Sequence, residues 1–244
     1  MIIYGIHAVT EALRSGRVTQ LRIAGRDDER LRRVIEDATM RGVKIVRVAA
    51  DVLDRNARHG VHQGIVADVR ALPDVSLADL VRLGSPPLIV VFDGIEDPHN
   101  VGAILRTVDA AGATGVVRQT RRAAPLDGAA AKTSAGAVHH VPVADVVNIA
   151  RAVEELKEAG IWTVGLDAEA ETPYYDLDLT IPTALILGAE GHGLRRLVRE
   201  RCDFVAAIPM AGHVSSLNVS AAAAIVLFEA VRQRRSRGSP PRVP

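Results

Sequence analysis

Three separated stretches carry the residue types that could do chemistry: Asp97-Pro98-His99-Asn100-Val101-Gly102 leading to Arg106, Gly188-Ala189-Glu190-Gly191-His192-Gly193, and Ile208-Pro209-Met210 leading to Ser215-Ser216-Leu217-Asn218-Val219-Ser220. Each falls where an apolar strand gives way to a helix. Ligand sites in open α/β sheets lie beyond the carboxyl ends of strands, where helix amide groups and glycine-lined turns let a ligand approach the backbone. The three stretches therefore read as parts of one site.

In the first stretch, Asn100 stands before an apolar helix and is a natural cap for its free amide groups. Gly102 and Arg106 are four residues apart and share a helix face, which leaves an uncluttered strip beneath a guanidinium that invites a phosphate. The second stretch follows the apolar run Thr183-Ala184-Leu185-Ile186-Leu187. Its spacing, G-x-x-G-x-G, is not the dinucleotide fingerprint G-x-G-x-x-G, so an oxidoreductase using nicotinamide or flavin is disfavoured. Glu190 at its centre repels phosphate and suits a cationic or amine-bearing ligand. In the third stretch, Ser215, Ser216, Asn218 and Ser220 exceed what capping one helix requires, which implies a second polar task. The helix beyond, with Ala222, Ile225, Val226, Leu227 and Phe228, is apolar around most of its circumference; it must be covered on more than one side, and a second subunit is one such cover.

Other chemistries are poorly served. His59, His62, His99, His139, His140, His192 and His213 offer no H-E-x-x-H spacing, and the only cysteine, Cys202, leaves neither a zinc site nor an intramolecular disulfide to expect. The nucleophile elbow G-x-S-x-G does not occur. The loop His59-Gly60-Val61-His62-Gln63-Gly64 is polar and glycine-flanked, and it either touches RNA or simply turns the chain.

The elements that must position these residues are set first by composition. Of 244 residues 48% are apolar but only 3% aromatic, so the core is built from Val, Leu, Ile and Ala, as in a buried parallel sheet and an α/β fold. The net charge of +1 hides an asymmetry: residues 1–72 hold 13 Lys/Arg against 9 Asp/Glu, residues 73–231 hold 12 against 20, and residues 232–244 hold 5 against none. A basic front and tail around an acidic middle suggest a polyanion gripped outside the catalytic body. With no charged-then-apolar leader and no eighteen-residue apolar run, the expectation is a soluble, cytoplasmic protein with no membrane partner.

Residues 1–72 read as a small α/β unit: a helix over 7–15 ended by Gly16, a strand over 20–24, a helix opened by Asp27 and closed at Gly42, a strand over 43–49, a short helix capped by Asp51, and a strand over 64–69. Residues 73–87, with Pro73, Gly84, Ser85, Pro86 and Pro87, have the composition of a linker around one or two helical turns. From Leu88, strands over 88–92, 115–118, 161–166, 184–187 and 204–208 alternate with helices over 100–111, 127–135 and 145–159, one ending at Arg201, and a long one from about Leu217 to Arg234. Such alternation makes a parallel sheet. This block spans 88–235, and the basic, proline-rich segment 236–244 reads as a disordered tail.

Taken in order, the three stretches resemble the motifs of the SpoU/TrmH family of RNA ribose 2′-O-methyltransferases within the SPOUT superfamily, with a match from Ile2 to Gln233. The resemblance implies a trefoil knot near the carboxyl end of the sheet, S-adenosylmethionine bound in the knot, and a homodimer with each site near the interface. Carried over position by position, it implies that Gly188, Ala189, Ile208, Met210 and Leu217 hold the cofactor and that Asn100, Arg106, Glu190, Ser216 and Asn218 form the catalytic group. The front unit, with Tyr4-Gly5-Ile6-His7-Ala8-Val9 and Gly60-Val61-His62-Gln63-Gly64-Ile65, is similar to the substrate-binding domain of the branch that methylates a guanosine of 23S rRNA, with His59, His62, Gln63 and Arg106 meeting the RNA. The same chemistry on tRNA, and a non-catalytic RNA-binding ribosome-assembly factor, stay open. An arginine acting as general base is disfavoured, because a guanidinium pKa above about 12 makes deprotonation near pH 7 cost on the order of 7 kcal/mol. A phosphate clamp that also steadies developing alkoxide charge suits Arg106 better.

Overall fold

The computed structural model describes residues 2–25, 29–57, 60–70, 75–121, 123–126 and 128–238. The chain forms two compact units, one of Met1–Pro73 with Val101–Arg106 and Pro125–His140, the other of Asp74–Asn100, Thr107–Ala124 and Val141–Pro244. The units thus interleave along the sequence, where a front unit ending at residue 72 was the expectation.

The first unit opens with β1 (Ile2–Tyr4), α1 (Ile6–Arg14), β2 (Val18–Ile23), α2 (Glu29–Met40), β3 (Lys44–Arg47), α3 (Ala50–Asn56) and β4 (Ile65–Val69), with the strands in the order β1-β4-β2-β3. β4 runs antiparallel to β1 and β2, and β2 runs parallel to β3. The apolar stripe Ala8, Val9, Ala12 and Leu13 buries one face of α1. Gly16 and Gly42, at φ 67° and 69°, end α1 and α2 where the sequence places the stops. Two expectations need correction. β1 was not foreseen, because three residues carry no period; its ladder with β4, Ile3 opposite Ala67, defines it. Asp51 is not a cap: Ala49 holds that position, and Asp51 sits in the first turn, 3.0 Å from Arg55 one turn on. Asp27, expected to open α2, lies outside the described residues, as does Asp127.

The chain continues through α4 (Leu77–Arg82), β5 (Leu88–Asp93), α5 (Pro98–Ala111), β6 (Gly115–Gln119), α6 (Gly128–Thr133), β7 (Val143–Val146), α7 (Ile149–Glu158), β8 (Trp162–Leu166), β9 (Thr183–Gly188), α8 (Arg196–Arg201), β10 (Phe204–Ala206) and α9 (Val219–Gly238). Strands β5 to β10 form one wholly parallel sheet, in the order β10-β8-β9-β5-β6-β7. Every residue of the central strand β5 is buried, which explains its unbroken run Leu-Ile-Val-Val-Phe. Ile89, Val91, Val117, Ala184 and Ile186 meet Leu80 of α4, Ile149, Val153 and Leu156 of α7, and Val198 of α8 in the main core.

Residues 145–159, expected as one helix, divide. Val143–Val146 joins the sheet beside β6, and α7 starts only after Asn148, whose side chain caps it by accepting from the Arg151 amide. A short apolar run fits either period, and pairing with β6 decides it. Asp145 is then free to pair across strands with Arg118 at 2.7 Å. At the other end, α9 runs to Gly238, so residues 236–238 of the expected tail are helical, and residues 239–244 lie outside the described residues. Arg234 holds that end in place by donating to the carbonyls of Leu179, Ile181, Pro86 and Pro87.

Within the first unit, Arg17 donates to the carbonyl of Arg70 and lies 2.9 Å from Nδ1 of His139, a side chain that is 3% exposed and whose Nε2 has no partner among the described residues. Burial above all, then the charges of Arg17 and His140, pushes the His139 pKa down to about 4. An unfolded histidine titrates at 6.5, so between that value and about 4 the unfolded chain takes up a proton that the folded chain refuses. Stability is therefore expected to fall as pH drops through this window. In urea titrations at pH 7 and pH 5, His139→Gln, which keeps an acceptor for Arg17, should shrink the difference between the two curves; an undiminished difference would assign it to other groups.

Candidate active site

The carboxyl ends of β8, β9 and β10 open into a cavity of about 650 Å³, closed by the head of α9. Such a volume suits a ligand of cofactor size. Residues 166–169 from the end of β8, 187–194 from the end of β9, 206, 208 and 210 from the end of β10, 215–217 before α9, and 219 and 222 of α9 form its walls.

The wall after β9 is a tight hairpin. Ala189 and Gly193 exchange backbone hydrogen bonds at 3.1 and 2.9 Å, and the turn between them needs Gly191 at φ 78°. Gly188 lies so close to the returning chain that a Cβ there would stand 2.2 Å from the Gly193 carbonyl carbon. Only glycine lets the hairpin fold back on its own strand.

The cavity is acidic. Asp167, Glu169 and Glu190 line it, and among the described residues no Lys or Arg does. Burial opposes ionisation of Asp167, but the Glu169 amide and Arg199, 2.7 Å away, outweigh it and hold the carboxyl below its usual range. Such a lining favours a cation over a phosphate.

Glu190 also belongs to a polar cluster that joins all three sequence stretches. Asn218 donates from Nδ2 to Oδ1 of Asn100 at 3.0 Å and to Oε1 of Glu190 at 2.6 Å, while its Oδ1 accepts from the amide and hydroxyl of Ser220. The Ser220 amide can only donate, so Oδ1 must face it, and the orientation of the Asn218 amide is fixed by its neighbours. Asn218 thereby caps α9 and ties Asn100 to Glu190. Asn100, 7% exposed, is not itself a cap: Asp97 takes that role at the start of α5, accepting from the His99 amide at 2.9 Å, with Pro98 in the first turn. The side chain of Asn100 is left for the cluster.

Of the residues singled out from the sequence, Gly188, Ala189, Ile208, Met210 and Leu217 all line the cavity, with Glu190 and Ser216. Asn100 and Asn218 join them through hydrogen bonds. Arg106 is exposed on α5 and makes no hydrogen bond or ion pair among the described residues. The uncluttered strip expected at Gly102 is absent, since a Cβ there would lie 2.6 Å from the Ala130 carbonyl oxygen; this glycine serves close packing with α6. In the front unit, Gln63 accepts from the Ile6 amide at the head of α1, and His62 accepts from the Gly64 amide and faces Asp54 at 3.1 Å. Both side chains hold the loop's own shape, and His59 lies outside the described residues. Burial, with Asp203 adding, pushes the Cys202 thiol up to about 12, so it stays protonated at neutral pH. Among the described residues no His, Cys, Asp and Glu group is placed to hold a metal ion, and no helix is long and apolar enough to cross a membrane. Sequence reasoning missed the acids at 167 and 169 and the pair Asp93–Arg195; a lone carboxylate closing an apolar strand was the available signal for the last.

A parallel sheet whose strand ends enclose an acidic, glycine-walled cavity beside an amide–carboxylate cluster defines this half of the chain as an α/β ligand-site architecture. Residues 87–228 match the model of the SpoU rRNA methylase family, and residues 2–75 match that of the RNA 2′-O ribose methyltransferase substrate-binding domain. The 23S rRNA (guanosine-2′-O-)-methyltransferase RlmB of Pseudomonas syringae pv. tomato is 45% identical over 245 residues, covering 98% of each chain. Its counterpart in Shewanella oneidensis is 46% identical over 241 residues, covering 96% of this chain and 98% of that one. Among solved structures, the SpoU methyltransferase AviRb of Streptomyces viridochromogenes in complex with AdoMet is similar at a TM-score of 0.80 and 31% identity, over 97% of this chain and 91% of that one. The chain belongs to the SpoU rRNA methylase family.

Gly188→Ala is expected to destabilise the protein by about 1–3 kcal/mol, because the colliding atoms are backbone. Gly212→Ala, which meets open space, should change stability by less than about 0.5 kcal/mol. Urea denaturation of the two variants checks the difference, and equal losses would contradict the close approach.

Proposed function

We propose that the protein transfers a methyl group from S-adenosylmethionine to a ribose 2′-oxygen of RNA, and that the substrate is a guanosine of 23S rRNA. The observation that carries this reading is the shared Glu190: one side chain lines an acidic cavity suited to a cationic donor and also belongs to the cluster able to orient a hydroxyl. The names of the relatives and the likeness to an AdoMet-bound SpoU enzyme support the substrate and the donor.

The residues present fit such a donor. Its positive sulfonium and amino groups suit a lining of three carboxylates, and the close-packed Gly188 hairpin offers a flat backbone wall for a planar base. When bound, S-adenosylmethionine supplies a methyl group on a sulfonium that is its own leaving group. What remains for the protein is alignment and charge. Asn100 has its carbonyl oxygen occupied by Asn218, so its own NH₂ is available to donate to a ribose or phosphate oxygen. Glu190, with Oε1 held by Asn218, keeps Oε2 to receive a hydrogen bond from the hydroxyl. Ser216 lines the cavity and adds a second orienting hydroxyl. Arg106 clamps an RNA phosphate and stabilises charge developing on the attacking oxygen, while a phosphate oxygen or water takes the proton. The reading further includes a homodimer, for which the exposed Val214, Leu217 and Phe228 are available apolar contacts, a knotted chain in the cofactor region, RNA contact through the loop that carries His59, His62 and Gln63, and action in the cytoplasm.

Incubation with tritiated S-adenosylmethionine and either a 23S rRNA fragment or tRNA should label the ribose of one guanosine in the rRNA. Label in tRNA alone would move the substrate, and label in neither would refute the activity. Arg106→Lys keeps the charge but loses the planar fork, so turnover is expected to fall about 10- to 100-fold with cofactor affinity unchanged. Near-normal turnover would rule out a two-pronged clamp. Asn218→Ala frees both Asn100 and Glu190, and a fall in kcat of about 10²-fold is expected; a variant that turns over normally would show that the cluster does not orient the hydroxyl.

A further inference from the structure

Asp93 closes the central strand β5 and is fully buried. A carboxylate in that position is costly unless it is paired and hydrogen-bonded. Both of its oxygens are taken by one residue: Oδ2 accepts from the backbone amide of Arg195 at 2.7 Å, and Oδ1 accepts from the Arg195 Nε at 2.5 Å. Nη2 of the same guanidinium reaches Oε1 of Gln119, at the end of β6, at 3.1 Å. One arginine thus ties the ends of two sheet strands to the chain just beyond the glycine hairpin.

The register shows what this tie controls. Asp93 stands opposite Gly188, where the hairpin begins, and bonds Arg195, one residue past Leu194, where the cavity wall ends. The start of the wall is thus set by the backbone ladder at Asp93, and its end is held by the Asp93 side chain. Between them lies the close approach of Gly188 to Gly193 and Leu194, which leaves no room for a Cβ. Asp93, Arg195 and Gln119 do not themselves line the cavity.

We infer that Asp93 and Arg195 are positioning residues for the methyl donor, acting by holding the 188–194 hairpin at the spacing that the ligand requires. The inference rests on the reading that this cavity holds S-adenosylmethionine, and it assigns the pair to donor affinity, leaving the transfer step to the cluster around Asn218.

The test uses the full-length protein, with S-adenosylhomocysteine binding measured by calorimetry and steady-state kinetics measured in S-adenosylmethionine. Wild-type binding comes first, and its absence would overturn the cofactor reading itself. Given wild-type binding, Asp93→Asn and Arg195→Met should each weaken binding and raise KM for the donor by about tenfold or more, with kcat at saturating donor within about threefold of wild type. The double variant should be no worse than the poorer single one, because both remove the same tie. Leu156→Ala, in the main core and not among the residues that line the cavity, should lower the melting temperature yet leave donor affinity unchanged, which separates positioning from bulk stability. Should Asp93→Asn fail to fold, Arg195→Met carries the test, since that side chain is half exposed. Folded variants that bind within twofold of wild type would overturn the inference, as would a loss confined to kcat.

Discussion

One side-chain amide has no polar atom to spare. Asn218 accepts twice from Ser220 and donates to Asn100 and to Glu190, so residues 118 and 28 positions away in the chain are held within hydrogen-bond reach of the head of α9. Much else in the site follows from meeting that demand. Asn100 can answer it only because Asp97 and Pro98 start α5 without its help, and Glu190 can answer it only because the glycine hairpin carries it back over the end of β9. The parallel sheet supplies the frame, since β5 and β9 are neighbours whose carboxyl ends bring those two turns together.

The same arrangement separates two electrostatic tasks. Asp167, Glu169 and Glu190 line the cavity, with Asp167 paired to Arg199, and on the proposed reading this lining would favour a positively charged donor over an RNA phosphate. Under the proposed function, affinity for RNA would fall to other groups, namely the excess of Lys and Arg in residues 1–72 and the guanidinium of Arg106.

Much of this was legible in the sequence, and for identifiable reasons. Residues 88–92 are apolar without alternation, which is what a strand buried on both faces requires, and the first polar stretch follows where that strand ends. All five residues assigned to the cofactor line one cavity. The failures have a common cause, namely partners distant in sequence. Nothing local decides between Asp97 and Asn100 as the cap of α5; the partner waiting at Asn218 decides it. Gly102 reads as open space or as close packing equally well until Ala130 is placed against it. β1 and β7 exist through their ladders with β4 and β6, and no period within three or four residues announces them. The bond from Asp93 to Arg195 spans 102 residues, and a single acid at a strand end does not name its partner.

The central claim is geometric: three distant turns converge so that a cationic methyl donor lies beside groups that orient a hydroxyl. A crystal structure of the protein with S-adenosylhomocysteine tests it most directly. The account predicts the ligand in the cavity bounded by residues 188–194 and the head of α9, with its sulfur facing the Asn100–Glu190–Asn218 cluster. Ligand bound elsewhere, or bound there with its sulfur turned away from that cluster, would contradict it.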